Sequence, residues 1–476
     1  MPKLQFNGFD CTAKAWFTPP VEMSDLADAV RAAAPAPPPP PPTGTALSPA
    51  AGLRAFANLP FPLQPKDFAD VGWGVVLSTQ CGDDVRAAIG PLLALRKKQV
   101  YAATYKQLDY RFGETPTAWL QRHNAAWGSV EPESVPYYLL LVGGPGEIPF
   151  EFQYGLDLQY AVGRICFDAP AGYDRYARNV VAYETAAAVA TTRDICYWAP
   201  DPNRGDATAL SAGHLVEPLA TGKNVEGRPS FPVISDKLGF KTNVMLRDGA
   251  TKTALVDVLH GRGVRPTLLF TASHGAVMAK DDPRQATEQG SLFAQEWPGE
   301  GAVDADDAAY RIRAADLADD ADLSGLFVFM FACFGAGTPT KEDVIVGSGD
   351  TKRELANAPF VSALPKKMLE RGALAVVGHV ERAWSYSIQP PGVVDHIGPF
   401  RNLVGKVLMG DRVGEATQDF SDRCAFLTTE LAGRMRITGT AADDANLVLD
   451  WIEQNDSRNY VILGDPAVRV RRELLP

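Results

Sequence analysis

The sequence has no excess of positive charge. Its 476 residues include 46 Lys and Arg against 57 Asp and Glu, a net charge of −11. That excludes a general nucleic-acid binder, because neutralising phosphates takes a basic face. Long apolar runs are missing too. The longest, residues 326–334, has nine residues, well short of the roughly eighteen a membrane helix needs. The first fifteen residues, MPKLQFNGFDCTAKA, lack the apolar core of a secretory signal. Cysteine is scarce: Cys11, Cys81, Cys166, Cys196, Cys333 and Cys424 contain no CxxC pair. A disulfide framework or a zinc site is not expected from such spacing. No GxxxxGK[ST] is present, and the proline in GGPG (143–146) removes a donor, so a nucleotide site is excluded. A cytoplasmic α/β protein is expected, with no membrane and no nucleic-acid partner. Its 46% apolar content is enough for a large core.

What is present begins with residues 32–45, AAAPAPPPPPPTGT, which hold six consecutive prolines. Proline fixes φ and removes the backbone donor, so the tract reads as a stiff polyproline II spacer. Before it, residues 24–34 (SDLADAVRAAA) predict a short amphipathic helix capped by Ser24. Beyond it the pattern alternates between strand and helix. Strands are predicted at 72–78, 137–142, 194–199, near Val233, and at 244–246, 266–271, 326–332, 373–377 and 460–463. Helices are predicted at 83–101, 207–219, 252–261 and 362–371. Continuous apolar strands alternating with helices predict a parallel sheet covered on both faces, with functional groups just beyond the strands' carboxyl ends.

Two of the most apolar strands obey that rule. One runs into Ser273-His274-Gly275 and the other into Cys333-Phe334-Gly335. If the strands are neighbours, an imidazole and a thiol share one rim, the pairing needed for nucleophilic attack on an amide. Gly275 leaves room beside its N–H for a substrate carbonyl, and the Cys333 N–H would complete an oxyanion hole.

Residues 271–275 (TASHG) and 329–337 (FMFACFGAG) resemble the His-Gly and Ala-Cys-x-Gly motifs of caspase-type cysteine peptidases, a group that takes in gingipains, separases, legumains and the CHAT peptidases. LLLVGGPGEIPF (139–150), YAVGRI (160–165) with Tyr183-Glu184, and the terminal VILGDPAVRV (461–470) resemble the gingipain-like branch. The ordered set spans residues 136–470. The resemblance implies a caspase-like parallel-sheet α/β/α sandwich, with residues 46–190 as an N-terminal α/β subdomain and 191–476 as the catalytic subdomain. Residues 1–45 are left as a tail with its polyproline linker. It implies a cysteine endopeptidase acting on protein or peptide substrates, with Cys333 as nucleophile and His274 as general base and acid. Gly275 and Cys333 would form the oxyanion hole.

Glu147 matches the acidic residue that orients the histidine in gingipains, and a solvated turn carboxylate is its alternative. Asp157 occupies a place comparable to the acidic residue that binds basic substrate side chains, which would favour cleavage after Arg or Lys; a cap is the alternative. Trp384 would wall the specificity pocket. If Arg382 faced that pocket instead of Asp157, the preference would turn acidic. His379 is a second base or part of a polar network with Glu381 and Arg382. The competing reading is a catalytically silent scaffold of the same fold. No cofactor is expected; calcium has no motif behind it, and no activating partner is identified.

The chain departs from the compact pattern between His274 and Cys333. Residues 280–322 carry twelve Asp or Glu and four Lys or Arg. This acidic insertion is expected to be a solvated excursion, or a lid over the cleft through Leu292, Phe293 and Trp297.

Overall fold

The computed structural model describes residues 3–4, 6–33, 59–60, 62–202, 205–228, 233–299, 307–343, 352–389, 396–435 and 441–476. The polyproline tract lies outside the described residues.

Ten strands form one sheet: β1 (Trp73–Ser78), β2 (Tyr105–Tyr110), β3 (Tyr138–Val142), β4 (Ala161–Ile165), β5 (Thr192–Ala199), β6 (Lys241–Leu246), β7 (Pro266–Ala272), β8 (Phe327–Phe331), β9 (Ala375–His379) and β10 (Tyr460–Gly464). Their spatial order is β2-β1-β3-β4-β10-β9-β8-β7-β5-β6. Strands such as YLLLV and FVFMF are buried along their whole length, as strands covered on both faces must be. The edge strands β2 and β6 are partly exposed and carry Lys, Gln, Asp and Asn.

Every pairing in this sheet is parallel except β9 with β10. The sheet is therefore two parallel halves running in opposite directions, and the last strand in the chain belongs by direction to the first half. Carboxyl ends of β3 and β4 emerge on the rim opposite those of β7 and β8. The parallel sheet expected from the sequence is present with one antiparallel joint, and that joint decides which loops meet.

Two of the motifs prove to build that joint. In YAVGRI, a Cβ on Gly163 would lie 2.2 Å from the Gly464 carbonyl, so only glycine lets β4 approach β10 there. In LGDP, the buried Asp465 accepts from Trp73 Nε1 (3.0 Å) and from Arg96 Nε (2.7 Å). Arg96 in turn donates twice to Glu184, the acidic residue of the Tyr183-Glu184 pair.

Several local expectations change. Val233 precedes a short helix, Ile234–Leu238, rather than forming a strand. The helix predicted at 207–219 is α, then π over Ser211–Val216, then α to Thr221. The edge strand β2 and the glycine-bearing β4 lack the apolar runs that reveal a strand. Ser24 lies inside the first turn of helix Met23–Ala33 rather than capping it.

The largest change concerns the N-terminus, read from the sequence as a tail. Leu4 and residues 6–21 form a hairpin: Leu4 pairs with Val21, and Phe9–Asp10 with Ala15–Trp16. Phe9–Asp10 also adds in parallel to Ala276–Val277, just after His274. Helix Met23–Ala33 then packs Leu26, Ala27 and Val30 against Leu447, Val448 and Ile452 of helix Ala441–Arg458. The segment is docked on the half of the sheet that bears His274 and Cys333.

Candidate active site

Strand register sets the geometry of the His–Cys pair. Ala272 of β7 lies opposite Phe331 of β8, and the Ser273 N–H donates to the Phe331 carbonyl at 3.0 Å. Each chain then runs on to a candidate residue two positions past its strand, so His274 and Cys333 leave the rim level with each other. A Cβ on Gly275 would come within 1.9 Å of the Cys333 carbonyl oxygen and 2.9 Å of its nitrogen. Any side chain at Gly275 would push the two backbones apart. Phe334, next to the thiol, holds a left-handed φ of 57° and donates its N–H to the Glu381 carbonyl at 2.5 Å. Strain of this kind persists only where the surroundings over-determine it.

His274 is fully buried. Its Nε2 lies 3.1 Å from Asp206 Oδ2, and its Nδ1 accepts the Gly8 N–H at 3.3 Å. An acceptor at Nδ1 places the ring proton on Nε2, donating to Asp206. Burial alone would raise the Asp206 pKa. The imidazole beside it and the Thr208 hydroxyl and amide outweigh that, holding the carboxyl well below the usual range. Asp206 is positioned as the N-cap of helix Ala207–Leu210, where it accepts the Thr208 N–H at 2.7 Å. Trp16 and Trp297 enclose the ring, at centroid distances of 5.1 and 5.6 Å.

Cys333 Sγ accepts the Ala383 N–H at 3.3 Å. Burial pushes the thiol pKa up to about 12; the Ala383 hydrogen bond and the Arg382 charge oppose this, while Glu381 and Asp456 add to it. At neutral pH the sulfur in this state is a thiol, not a thiolate. Gly8, at φ 102°, lies over it: a Cβ there would be 3.4 Å from Sγ.

The other residues read from the sequence divide clearly. Glu147 follows β3 and therefore sits on the opposite rim, folded back on Gly143 rather than on His274. Asp206 holds the imidazole instead, 68 positions upstream of it in a stretch without any motif. Asp157 ends helix Phe150–Asp157 and accepts the Val162 N–H at 3.2 Å, tying helix to strand. Burial raises its pKa well above the ordinary value, against the Val162 hydrogen bond and the Arg164 charge. Arg382 is buried between Glu381 (2.5 Å) and Glu342 (2.7 Å), with Nε donating to Thr18. Its charge is spent on these partners and does not face a pocket. His379 contacts Asp456 through Nε2 and belongs to a polar network. Asp456 also accepts from the Trp384 N–H and the Ser387 hydroxyl. Trp384 is buried, with Nε1 donating to Asn455 and its ring edge-on to Phe6 at 4.8 Å.

The acidic insertion is folded onto the site. Leu292–Phe293 pairs with Arg311–Ile312, and Phe293 and Trp297 pack on Phe9 at centroid distances of 6.0 and 5.0 Å. Its apolar patch thus covers His274 and the hairpin together, while Asp281 and the pair Asp319–Asp320 stay exposed. Among the described residues no group of three or more His, Cys, Asp or Glu could hold a metal ion. Among the described residues no helix is long and apolar enough to cross a membrane.

No protein-family model and no curated protein matches the chain. Solved structures do. A structure described as a protease aligns over 85% of this chain and 80% of that one, with a TM-score of 0.47 and 14% identity. The Arg-specific cysteine proteinase gingipain R aligns over 84% and 79%, at 0.44 and 11%. The separase of the Saccharomyces cerevisiae separase–securin complex aligns over 70% of this chain and 15% of that one, at 0.32 and 10%.

Proposed function

We propose that the chain is a cysteine endopeptidase in which Cys333 is the nucleophile, His274 the general base and acid, and Asp206 the residue that orients it. One observation carries this reading: the unprotonated nitrogen of His274 and the sulfur of Cys333 both converge on Gly8, while the other ring nitrogen is anchored to a carboxylate. That is the tautomer a base needs.

In the reaction the Cys333 S–H proton passes to His274 Nδ1 as sulfur bonds the substrate carbonyl carbon. The N–H groups of Gly275 and Cys333 face the developing oxyanion; among the described residues neither donates to another group. Collapse breaks the C–N bond, and the Nδ1 proton goes to the departing amine. Water, deprotonated by the same nitrogen, then adds to the thioester carbonyl; collapse breaks the C–S bond, and the Nδ1 proton returns to the departing Cys333 sulfur.

Cleavage after Arg or Lys was expected from Asp157, whose carboxyl is engaged by the Val162 N–H and does not by itself support that preference. A silent scaffold draws support from the complete burial of both His274 and Cys333. Labelling by a thiol-reactive peptide probe separates the two, in the wild type and in Gly8→Val, where the added side chain meets Sγ. Labelling at Cys333 that is lost in His274→Ala supports the peptidase. Labelling indifferent to His274, with no peptide cut by either form and Cys333→Ala without effect, supports the scaffold.

A further inference from the structure

The hairpin lies where a peptide substrate would. Phe6 packs on Trp384, the residue expected to wall the pocket. Gly8 spans the catalytic pair, its N–H on His274 Nδ1 and its α-carbon over Cys333 Sγ. Phe9–Asp10 continues as an added strand on Ala276–Val277, with the Cys11 N–H donating to the Val277 carbonyl at 2.8 Å. Strand addition of this kind is a general way to hold an extended peptide. In this register the Asn7–Gly8 bond is the one presented. The nitrogen of Gly8 stands at the imidazole atom that would protonate a leaving amine.

Resting on the peptidase reading, we propose that residues 6–18 are a pseudosubstrate hairpin that reveals the cleft's specificity: peptides with asparagine before the reacting bond and glycine after it.

The subsite around Asn7 has the chemistry for a carboxamide. Asn7 is 1% exposed, and its amide lies 3.0 Å from the Ser385 hydroxyl, itself 2.9 Å from the Ala207 carbonyl. One hydroxyl proton cannot serve two acceptors. With the amide turned so that its NH₂ faces Ser385, the hydroxyl donates to Ala207 and accepts from Asn7, and the buried Nδ2 gains its partner. An aspartate there loses that donor and buries a charge. An arginine at this 1% exposed position would bury a long charged side chain where a short amide fits. On the other side, the left-handed φ of Gly8 (102°) strains any other residue, and a Cβ there would already touch Sγ at 3.4 Å, so a branched side chain is disfavoured. The Asn7 carbonyl accepts from neither oxyanion amide among the described residues, so the bond is aligned without being polarised. The hairpin is held and not cut.

The hairpin is also clamped from outside. Phe17 lies under Arg353 and Arg382, at 4.7 and 4.9 Å, and Thr12 donates to Asp282 of the acidic insertion at 2.7 Å. Displacing it lets water reach Cys333, lowering the thiol pKa that burial now raises.

The test compares wild type with Gly8→Val and with Trp16→Ala, which loosens the outer arm, after circular dichroism melts establish that each is folded. Alkylation of Cys333 by iodoacetamide should rise by about tenfold or more in both variants. Peptides of the form Phe-Asn-Gly-Phe should then be cut after Asn, about tenfold or more faster than the Arg or Asp versions. Ser385→Ala should narrow the preference for Asn over Asp. Alkylation and turnover unchanged in both variants overturn the proposal, as does equal or faster cleavage after Arg. A purified wild-type chain beginning at Gly8 overturns it as well, since the segment would then be a processing site. These failures leave the peptidase reading standing if His274→Ala still suppresses turnover; no peptide cut by any folded variant sinks that reading instead.

Discussion

At the scale of single residues, the site depends on groups that hold other groups. Asp206 caps helix Ala207–Leu210 through Oδ1 and holds His274 Nε2 through Oδ2, and the second contact keeps the proton off Nδ1 and the ring in place. Asp206→Asn can turn an NH₂ toward Nε2 and force the proton onto Nδ1. Turnover in the Gly8→Val background should fall about a hundredfold or more, while Cys333 stays alkylatable; equal loss of both would mean the fold, not the tautomer, was disturbed. Glu381 shows a second kind of coupling. Burial and the Asp343 charge raise its pKa from 4.5 to about 8, against the opposing pull of Arg382. Between these values the folded chain keeps a proton that the unfolded chain has released. Stability contributed at low pH is therefore lost as pH rises through this window, by at most about 1.4 kcal/mol per pH unit. Glu381→Gln cannot ionise and should flatten that slope in urea melts at pH 5 and 8.

At the scale of elements, the same carboxylate type serves quite different ends. Asp157 resembles a specificity residue in sequence, yet it ties the end of helix Phe150–Asp157 to β4. Asp157→Ala should cost about 1 kcal/mol in a thermal or urea melt and lower turnover of Asn, Arg and Lys peptides alike. A selective loss on basic peptides would return Asp157 to the pocket. The acidic insertion likewise resolves into two parts. Asp281, Asp319 and Asp320 remain exposed, whereas Phe293 and Trp297 join Phe9 and Trp16 in one aromatic cluster over His274. An insertion that reads as solvated on average charge is anchored by two aromatic residues.

At the scale of the whole molecule, the end of the chain locks its beginning. Asp465 after β10 reaches Trp73 on β1 and Arg96 on helix Gly90–Gln99, and all three side chains are buried. Asp465→Asn should cost about 3 kcal/mol, because it leaves Arg96 buried with half its charge pairing; a loss below about 1 kcal/mol in a urea melt would refute this. Much of this architecture was legible in the chain. Inner strands such as β3, β7 and β8 announce themselves because burial on both faces demands unbroken apolar runs, and His274 and Cys333 followed from the rule that groups gather at carboxyl ends. β2 escaped notice because an edge strand is half solvated, and β4 because glycine and a buried arginine interrupt it. Composition and local pattern thus determined an α/β core with a thiol and an imidazole at strand ends. Only the tertiary structure decided that β10 enters antiparallel to β9, which sends Glu147 to the far rim and leaves His274 to Asp206. Only packing, likewise, could fold a segment read as a tail back across the site. Sheet direction and docking are set by contacts between residues hundreds of positions apart, and a pattern read along one chain contains no term for them.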